Sequence, residues 1–285
     1  MMKKSKKIAL LMLIPFISSL CSCDLVNIFP SESEESNSSI VVSDSSEEDD
    51  DSSDLSESTS SGQSTTEQKT GYYKDIDETV GSTKLLEDLQ TLMFNTHKHY
   101  TTYGQIRNLF FYSDADPKVS GNILSFYSRI SIDGRWDGTT YNREHVWPQA
   151  KSGGLFQDVN NNTLGAGSDL HHIRPTIISE NTERGNKIFG SEYTPTDDVK
   201  GDCARICLYL YAHYSNRING SGSNRSSYVG NLILGNVFTT NSVLKQWNEL
   251  DPVDELERAR NEYCYSLQGN RNPFIDHPEW VNKVI

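Results

Sequence analysis

Cysteine is scarce in this sequence, and its distribution argues against a fold that depends on disulfides. The chain has five cysteines, of which Cys21 and Cys23 lie near the N-terminus. The rest of the chain has three cysteines, Cys203, Cys207 and Cys264. Small exported domains that rely on disulfides instead have many cysteines, in an even number. Cys203 and Cys207 lie four apart on a predicted helix, which suits a zinc ligand pair better than a mutual disulfide. Two states are therefore possible: one disulfide to Cys264 with a leftover thiol, or three buried free thiols.

Long apolar runs are also missing, which excludes an ordinary transmembrane helix at the N-terminus. Residues 8–20 are apolar apart from one proline and two serines, fewer than the roughly 20 residues that a bilayer crossing needs. Four lysines precede this run, so we predict an export signal over residues 1–23. With Leu20 three before it and Ser22 just before it, Cys23 resembles the acceptor of a bacterial lipoprotein. We therefore expect a lipid anchor on Cys23, with a plain cleaved signal as the alternative.

Basic residues are too few to give the chain the positive balance typical of nucleic-acid binders. Lysine and arginine number 26 against 39 acidic residues, a net charge of −13 at pH 7. Residues 24–70 hold 13 acids and one lysine, too polar to bury a core, and predict a disordered serine-rich linker. With −12 there and +4 from the N-terminal lysines, residues 71–285 carry −5. A nucleic-acid site in this part therefore needs a local arginine cluster and a divalent cation.

The hydrophobic spacing in residues 71–285 predicts an α+β domain that is mainly helical in its C-terminal third. Helices are expected from Ser82, as N-cap, to near residue 97, and over residues 103–112. We expect His97 and His99, at the end of the first helix, to lie on the surface. After Gly201 the chain should be mainly helical, with a third helix over residues 253–267 and a last short helix near the C-terminus.

Alternating side chains predict strands in the middle of the domain. One strand is expected over residues 122–132, and two more over residues 141–149 and 169–173. The loop between the last two, residues 151–168, is long enough to indicate a functional role. Ser179 is predicted to cap a helix over residues 180–189.

Three short segments concentrate residues suited to phosphodiester hydrolysis, which read YNREHVWPQ (141–149), DLHHIRP (169–175) and ERGNK (183–187). The reaction needs an activated water, charge neutralisation on the phosphate and help for the leaving oxygen. His145 can accept a proton near neutral pH. Glu144 and Asn186 offer oxygen ligands, which suit one Mg²⁺ or Mn²⁺ ion better than zinc. We therefore predict a metal-dependent site that cuts nucleic acid.

Two departures from local rules mark this site. Adjacent residues of a regular strand point to opposite faces, so Glu144 and His145 can serve one phosphate only if the strand ends there. Pro148 is compatible with such an end. A glycine at position 185 inside the predicted helix costs about 1 kcal/mol. Broken local rules are typical of functional positions.

These motifs resemble those of the bacterial endonuclease I family. The similarity rests on NREHVWP (142–148), DLHH (169–172), RGN with FG (184–190) and QGNRNPFIDHP (268–278), and covers residues 73–285 in order. It implies a ββα-metal (His-Me finger) core surrounded by helices, as in the exported branch with a long helical C-terminal tail. It also implies His145 as general base, Glu144 and Asn186 as metal ligands, and cleavage of DNA, RNA or both, with little sequence preference, to 5′-phosphate products.

The chain departs from the family pattern in two places. Some members use a transition-state arginine in the loop between the first two motifs, but residues 151–168 contain none. That role is therefore empty or taken by Lys151, Arg174 or Arg184. Some members also have several disulfides, which three cysteines cannot reproduce.

Seven further residues are predicted to bind phosphate or to support the site. Asp169 is expected to hydrogen-bond a ligand rather than bind metal itself. His171 and His172 are expected to support the site, with direct contact to phosphate or metal left open. Four arginines are candidates for phosphate binding: Arg143, Arg174, Arg184 and Arg271. For Arg184 and Arg271 the alternative is a surface salt bridge.

Two other functions compete with this interpretation. A zinc hydrolase could use His145, His171 or His172 with Asp169, but the sequence lacks the i, i+4 histidine pair of common metallopeptidases. A non-catalytic adhesion lipoprotein on a nuclease-like fold would be expected to have lost Glu144, His145 or Asn186, and none is lost. We predict a monomeric, exported endonuclease that is held at a membrane or cell surface by its lipid or released from it.

Overall fold

The computed structural model describes residues 71–215 and 230–285. The predicted signal, the lipid acceptor Cys23 and the acidic linker lie outside the described residues. Within the described ranges, the helices are too short or too polar to cross a bilayer.

The first two predicted helices are confirmed. Helix α1 spans Ser82–Thr96 and α2 spans Tyr103–Ser113. Thr102 caps α2 through its side chain. At α1 the N-cap is Gly81, so Ser82 is the first helical residue rather than the cap that we predicted.

The strand predicted over residues 122–132 is instead a hairpin of two short strands. Strands β1 (Asn122–Leu124) and β2 (Ser131–Asp133) pair antiparallel. Between them the chain turns, with the Arg129 amide donating to the Ser125 carbonyl at 2.9 Å and a φ of 56° at Arg129. Alternation failed as a guide here because the side chains of residues 126 and 127, which are consecutive, are both buried.

The centre of the domain is a ββα unit. Strand β3 (Tyr141–His145) pairs antiparallel with β4 (Ile173–Ile177), so that His145 lies opposite Ile173. Helix α3 (Ile178–Arg184) follows β4 directly and contacts both strands. This arrangement is the small sheet with an adjoining helix that the sequence resemblance implied.

Three element boundaries differ from the prediction. The strand expected over residues 141–149 ends at His145. The strand expected over residues 169–173 begins only at its last residue, because the amides of residues 172 and 173 both donate to the Asp169 carbonyl at 3.0 Å. The helix expected over residues 180–189 begins at Ile178 with Ile177, not Ser179, as N-cap. It ends at Arg184 because Gly185 adopts a φ of 48°, a left-handed value that suits glycine.

The C-terminal third is mainly helical, as predicted. Its first helix, α4 (Lys200–Tyr214), is buried at 13 of its 15 positions and so forms the centre of the main core, next to α1 and α5. The remaining helices are α5 (Asn241–Leu250), α6 (Glu255–Gln268), α7 (Pro273–Asp276) and α8 (Trp280–Val284).

The three cysteines of this region are buried free thiols. Burial raises the pKa of Cys203, Cys207 and Cys264. Because a buried, protonated thiol is a small apolar group, these residues contribute to packing rather than to a disulfide or a zinc site.

A buried ion pair links α4 to α6. The Arg205 guanidinium donates to both carboxylate oxygens of Glu257, and the two side chains are 0% and 2% exposed. Arg205 also donates to the Asn248 side chain at 3.1 Å and the Asp251 carbonyl at 2.8 Å. Each nitrogen of the guanidinium thus donates to an acceptor inside the protein.

Removing one member of this pair should destabilise the fold strongly. Glu257→Ala leaves a buried guanidinium without its main counter-charge, which costs about 3 kcal/mol in the free energy of unfolding. We expect the lower end of the usual range because Asp202 remains 3.7 Å from Arg205. Urea unfolding followed by circular dichroism measures the change.

The matched control is Glu255→Ala in the same helix turn. Its partner, Arg258, and Glu255 itself are 55% and 93% exposed, so the loss should be about 0.5 kcal/mol or less. Equal losses in the two variants would contradict the assignment of the buried pair as the tie between α4 and α6.

Candidate active site

Strand β3 ends at His145 because side chains take the backbone groups that would continue it. The Trp147 amide donates to Nε2 of His172 at 3.0 Å. The Val146 carbonyl accepts from Nη2 of Arg184 at 2.9 Å. A strand cannot pair onward once its amide and carbonyl are engaged in this way. The condition set by the sequence, a strand end at Glu144 and His145, is therefore met.

Glu144 and His145 line one open pocket of about 220 Å³ at the end of β3. Four of the predicted site residues come together there: Arg143, Glu144, His145 and Asn186. The pocket is completed by residues that sequence reasoning did not assign to the site: Tyr103, Pro148, Gln149, Asn181 and Gly185. The remaining predicted residues do not line this pocket: Asp169, His171, His172, Arg174, Arg184 and Arg271.

The imidazole of His145 is fixed in one tautomer. Its Nε2 lies 3.0 Å from the Gly167 carbonyl, and because a carbonyl only accepts, Nε2 carries the proton. Nδ1 then holds the lone pair, with the Gln149 amide nitrogen 3.4 Å away. Burial, with a smaller contribution from His172, lowers the pKa of His145 to about 3. The ring is thus neutral at neutral pH and presents an acceptor, which is what a general base requires.

The carbonyl that holds His145 comes from the end of the long loop, in the 3₁₀ turn Ala166–Ser168. Glycine is needed there because a Cβ on Gly167 would lie 2.8 Å from the Phe156 Cβ. His172 donates from Nδ1 to the Ala166 carbonyl at 3.0 Å. Since its Nε2 accepts from Trp147, both ring nitrogens are engaged. His172 therefore joins the loop to the strand end and supports the site without entering the pocket.

Glu144 lines the pocket with a buried carboxylate, which is 4% exposed. Its Oε1 accepts from the Tyr127 hydroxyl at 2.8 Å. Burial raises the pKa of Glu144 to about 7, although Arg184 and the Tyr127 hydroxyl act to lower it. A buried carboxylate of this kind is stabilised by a cation, and its hard oxygen suits a divalent one.

Two asparagines line the same pocket as Glu144. Asn186, the predicted ligand, follows the end of α3 and is exposed. Asn181 lies within α3, where its Nδ2 donates to Oδ1 of Asn142 on β3 at 2.6 Å. This bond orients the Asn181 amide and leaves Oδ1 as the oxygen donor. Its sequence signal was an asparagine, a poor helix former, in the short helix that follows directly on the second strand.

Arg143 is the predicted arginine that reaches the pocket. Its guanidinium lies 3.6 Å from the centre of the Tyr103 ring and donates to the Tyr103 carbonyl. Asn161 accepts from it at 3.3 Å. This stacked cation is well placed to meet a phosphate.

The other three arginines are engaged inside the protein. Arg184 donates to the Gly185 and Val146 carbonyls behind the pocket. Arg174 is 3.2 Å from Asp114 in a buried ion cluster. Arg271 pairs with Asp276 at 2.7 Å and with Glu262 at 2.8 Å, which holds the C-terminal tail.

Asp169 anchors a separate buried polar cluster. Its carboxylate accepts four hydrogen bonds, from the His171 amide and the side chains of Gln268, Tyr209 and Tyr214, at 2.6 to 3.0 Å. Burial alone would raise the pKa of Asp169, but the nearby histidines and Tyr209 hold it below its usual value. His171 donates from Nε2 to the Asn270 carbonyl at 3.1 Å. Asp169 and His171 thus tie the turn before β4 to α4 and α6.

The prediction that His97 lies on the surface was wrong. It is 5% exposed, and its Nδ1 lies 3.2 Å from Nε2 of His213. With Asp169, these residues bring three ligand atoms within 4.8 Å, close enough to hold a metal ion. The four bonds already accepted by Asp169 use the acceptor sites of its carboxylate. We therefore assign the cluster to packing of the core rather than to a cofactor.

Comparison with known proteins agrees with this geometry. The family description "Endonuclease I" matches residues 64–194 and 191–279. An extracellular ribonuclease of Bacillus amyloliquefaciens is 36% identical over 243 residues, which cover 75% of this chain and 77% of the relative. An extracellular ribonuclease of Bacillus subtilis (strain 168) is 37% identical over 213 residues, 64% of this chain and 68% of the relative.

The residues that line the pocket do not support the two competing functions. His171 and His172 lie outside the pocket, so the proposed zinc hydrolase site is not assembled. The acid and histidine of the NREH motif are both present at the strand end, so a non-catalytic lipoprotein is not favoured either. The chain belongs to the endonuclease I family and is a nuclease.

Proposed function

We propose that this protein is a metal-dependent endonuclease in which His145 activates water and Glu144 holds a single Mg²⁺ or Mn²⁺ ion. The observation that carries the proposal is that Glu144 and His145, adjacent on a strand, line the same pocket. The neutral His145 Nδ1 takes the proton of the attacking water. Arg143 binds the phosphate beside it. A bound divalent ion neutralises charge on the phosphate and on the leaving oxygen.

The second protein ligand is an asparagine amide oxygen. Asn186 is the residue that the sequence motif implies, but Asn181 is the better held of the two because a hydrogen bond to Asn142 fixes its amide. A side chain that a hydrogen bond already holds in place loses less conformational freedom when it binds a metal ion. We therefore favour Asn181 as the ligand. The products are 5′-phosphates, and cleavage depends little on sequence.

RNA is the first substrate to test, because both relatives are named extracellular ribonucleases. The same names support export of this chain. We propose a signal over residues 1–23 with lipid on Cys23, a linker over residues 24–70 and a nuclease domain over residues 71–285, acting as a monomer at the cell surface or released from it.

The decisive experiment is cleavage of RNA and plasmid DNA by the purified protein with Mg²⁺ and with a chelator. Cleavage should require the metal. His145→Ala should lower the rate roughly 100-fold or more, since a positioned base is removed. His99→Ala, an exposed histidine, is the control and should retain the rate.

Two results would contradict this proposal at different points. Equal cleavage with and without chelator would overturn the metal dependence. Near-normal turnover by His145→Ala would overturn its assignment as the base.

The two asparagines can be separated by their metal requirement. We expect Asn181→Ala to raise the Mg²⁺ concentration for half-maximal cleavage roughly tenfold or more, because a ligand or its support is lost. Asn186→Ala should change it less. The measurement is the rate against Mg²⁺ concentration at saturating RNA, and the reverse order would assign the ligand to Asn186.

The acid limb of the pH profile should depend on metal concentration. The pKa of Glu144 is raised to about 7, so below that pH a proton competes with the cation for the carboxylate. About tenfold more Mg²⁺ should therefore shift the acid limb down by up to about one pH unit. Titration of a base alone would leave the limb at the same pH at every Mg²⁺ concentration, and that result would contradict Glu144 as ligand.

A further inference from the structure

A second cavity, of about 500 Å³, lies on the surface between α2 and the turn after β2. We call it the aromatic groove, and its walls combine rings with polar and charged side chains: Arg107, Asn108, Phe111, Tyr112, Arg135 and Trp136. None of these residues has a role in the catalytic chemistry described above.

Two rings of the aromatic groove are exposed to solvent. Phe111 is 40% exposed and Tyr112 is 59% exposed. Arg135 pairs with Asp133 at 2.6 Å, but within the described ranges no carboxylate forms an ion pair with Arg107. Aromatic faces beside a free guanidinium match the two parts of a nucleotide, since rings stack on bases and the cation attracts phosphate.

Arg143 lies next to both the aromatic groove and the catalytic pocket. The Arg143 guanidinium lies 5.3 Å from the centre of the Trp136 ring, which lines the groove. The same guanidinium lines the catalytic pocket and stacks on Tyr103. A nucleotide in the groove would therefore neighbour the phosphate that is cut.

We propose that the aromatic groove is a nucleobase-stacking subsite that takes an unpaired base next to the scissile phosphate. The proposal rests on the nuclease function proposed above and adds the substrate class, single-stranded nucleic acid. In a duplex the faces of each base are covered by its neighbours, so a base must be unstacked to meet Trp136 or Phe111. Stacking also supplies affinity that a domain with a net charge of −5 does not gain from its overall field.

Tryptophan fluorescence can report this subsite without any cleavage. Of the four tryptophans, Trp147, Trp247 and Trp280 are at most 5% exposed, whereas Trp136 is half-buried in the groove. The probe is a single-stranded oligonucleotide of about 12 nucleotides, within the usual site size for such binding. It is titrated into the full-length protein with chelator present, and a gel confirms that it stays intact.

We expect saturable quenching by the single strand. An abasic strand of the same length and the blunt duplex should quench little and bind more weakly. Trp136→Phe should lose the quench but keep the affinity, measured by anisotropy of a labelled strand. Trp136→Ala should lose both, with binding roughly 5- to 150-fold weaker, as expected for one stacked base. Tyr265→Ala, which removes a 39% exposed ring outside the groove, is the control and should bind as the parent does.

The outcomes separate this proposal from the nuclease proposal. Equal quenching and affinity for the abasic strand or the duplex would overturn the stacking subsite, as would unchanged affinity in a folded Trp136→Ala protein. Either result leaves metal-dependent cleavage standing if the protein still cuts RNA. Base-dependent quenching in a protein that cuts neither RNA nor DNA would support the subsite and overturn the proposed activity.

Discussion

The site depends on one constraint: strand β3 must stop at His145. If the strand continued, Glu144 and His145 would project to opposite faces, and no single phosphate could meet both. The stop is imposed by side chains, because His172 takes the Trp147 amide and Arg184 takes the Val146 carbonyl. Arg184 is the last residue of α3 and His172 directly precedes β4, so the ββα unit and the turn before β4 fix where the first strand ends.

The same residues explain why so many conspicuous side chains near the site do not line it. His172 links the strand end to the turn whose Gly167 carbonyl sets the His145 tautomer. That turn is held in position by Asp169, whose carboxylate accepts hydrogen bonds from α4 and α6. The helical C-terminal third thus acts on the chemistry through Asp169 and His172. Removing either would disturb the base without touching substrate.

The sequence was sufficient for the features set by local spacing. Helices α1, α2, α4, α5 and α6 follow from their apolar stripes. The strand predicted over residues 141–149 was too long, because it ends at His145, where joint action of Glu144 and His145 requires an end. The hairpin of β1 and β2 was missed because consecutive buried rings at residues 126 and 127 obscure the strand period. The end of α3 was missed because Gly185 was interpreted as a costly residue inside a longer helix, whereas its left-handed φ of 48° ends the helix.

The partners of the charged residues were the least predictable part. Arg143, Arg174 and Arg271 look alike in sequence, yet one lines the pocket, one lies in a buried ion cluster and one holds the tail. An arginine's partner is decided by whichever acceptors the fold brings within reach, which spacing does not encode. Asn181 was passed over for a related reason, since only the packing of α3 against Asn142 brings it to the pocket.

The central claim is that His145 is a neutral base with its proton held on Nε2. Nitrogen-15 NMR of the imidazoles tests this directly, with the His145 signals assigned by their loss in His145→Ala. At pH values around neutrality, His145 should show a protonated Nε2 and an unprotonated Nδ1. Burial lowers the pKa of His145 to about 3, and the Gly167 carbonyl accepts a hydrogen bond from Nε2. A proton on Nδ1, or on both nitrogens near pH 6, would contradict it.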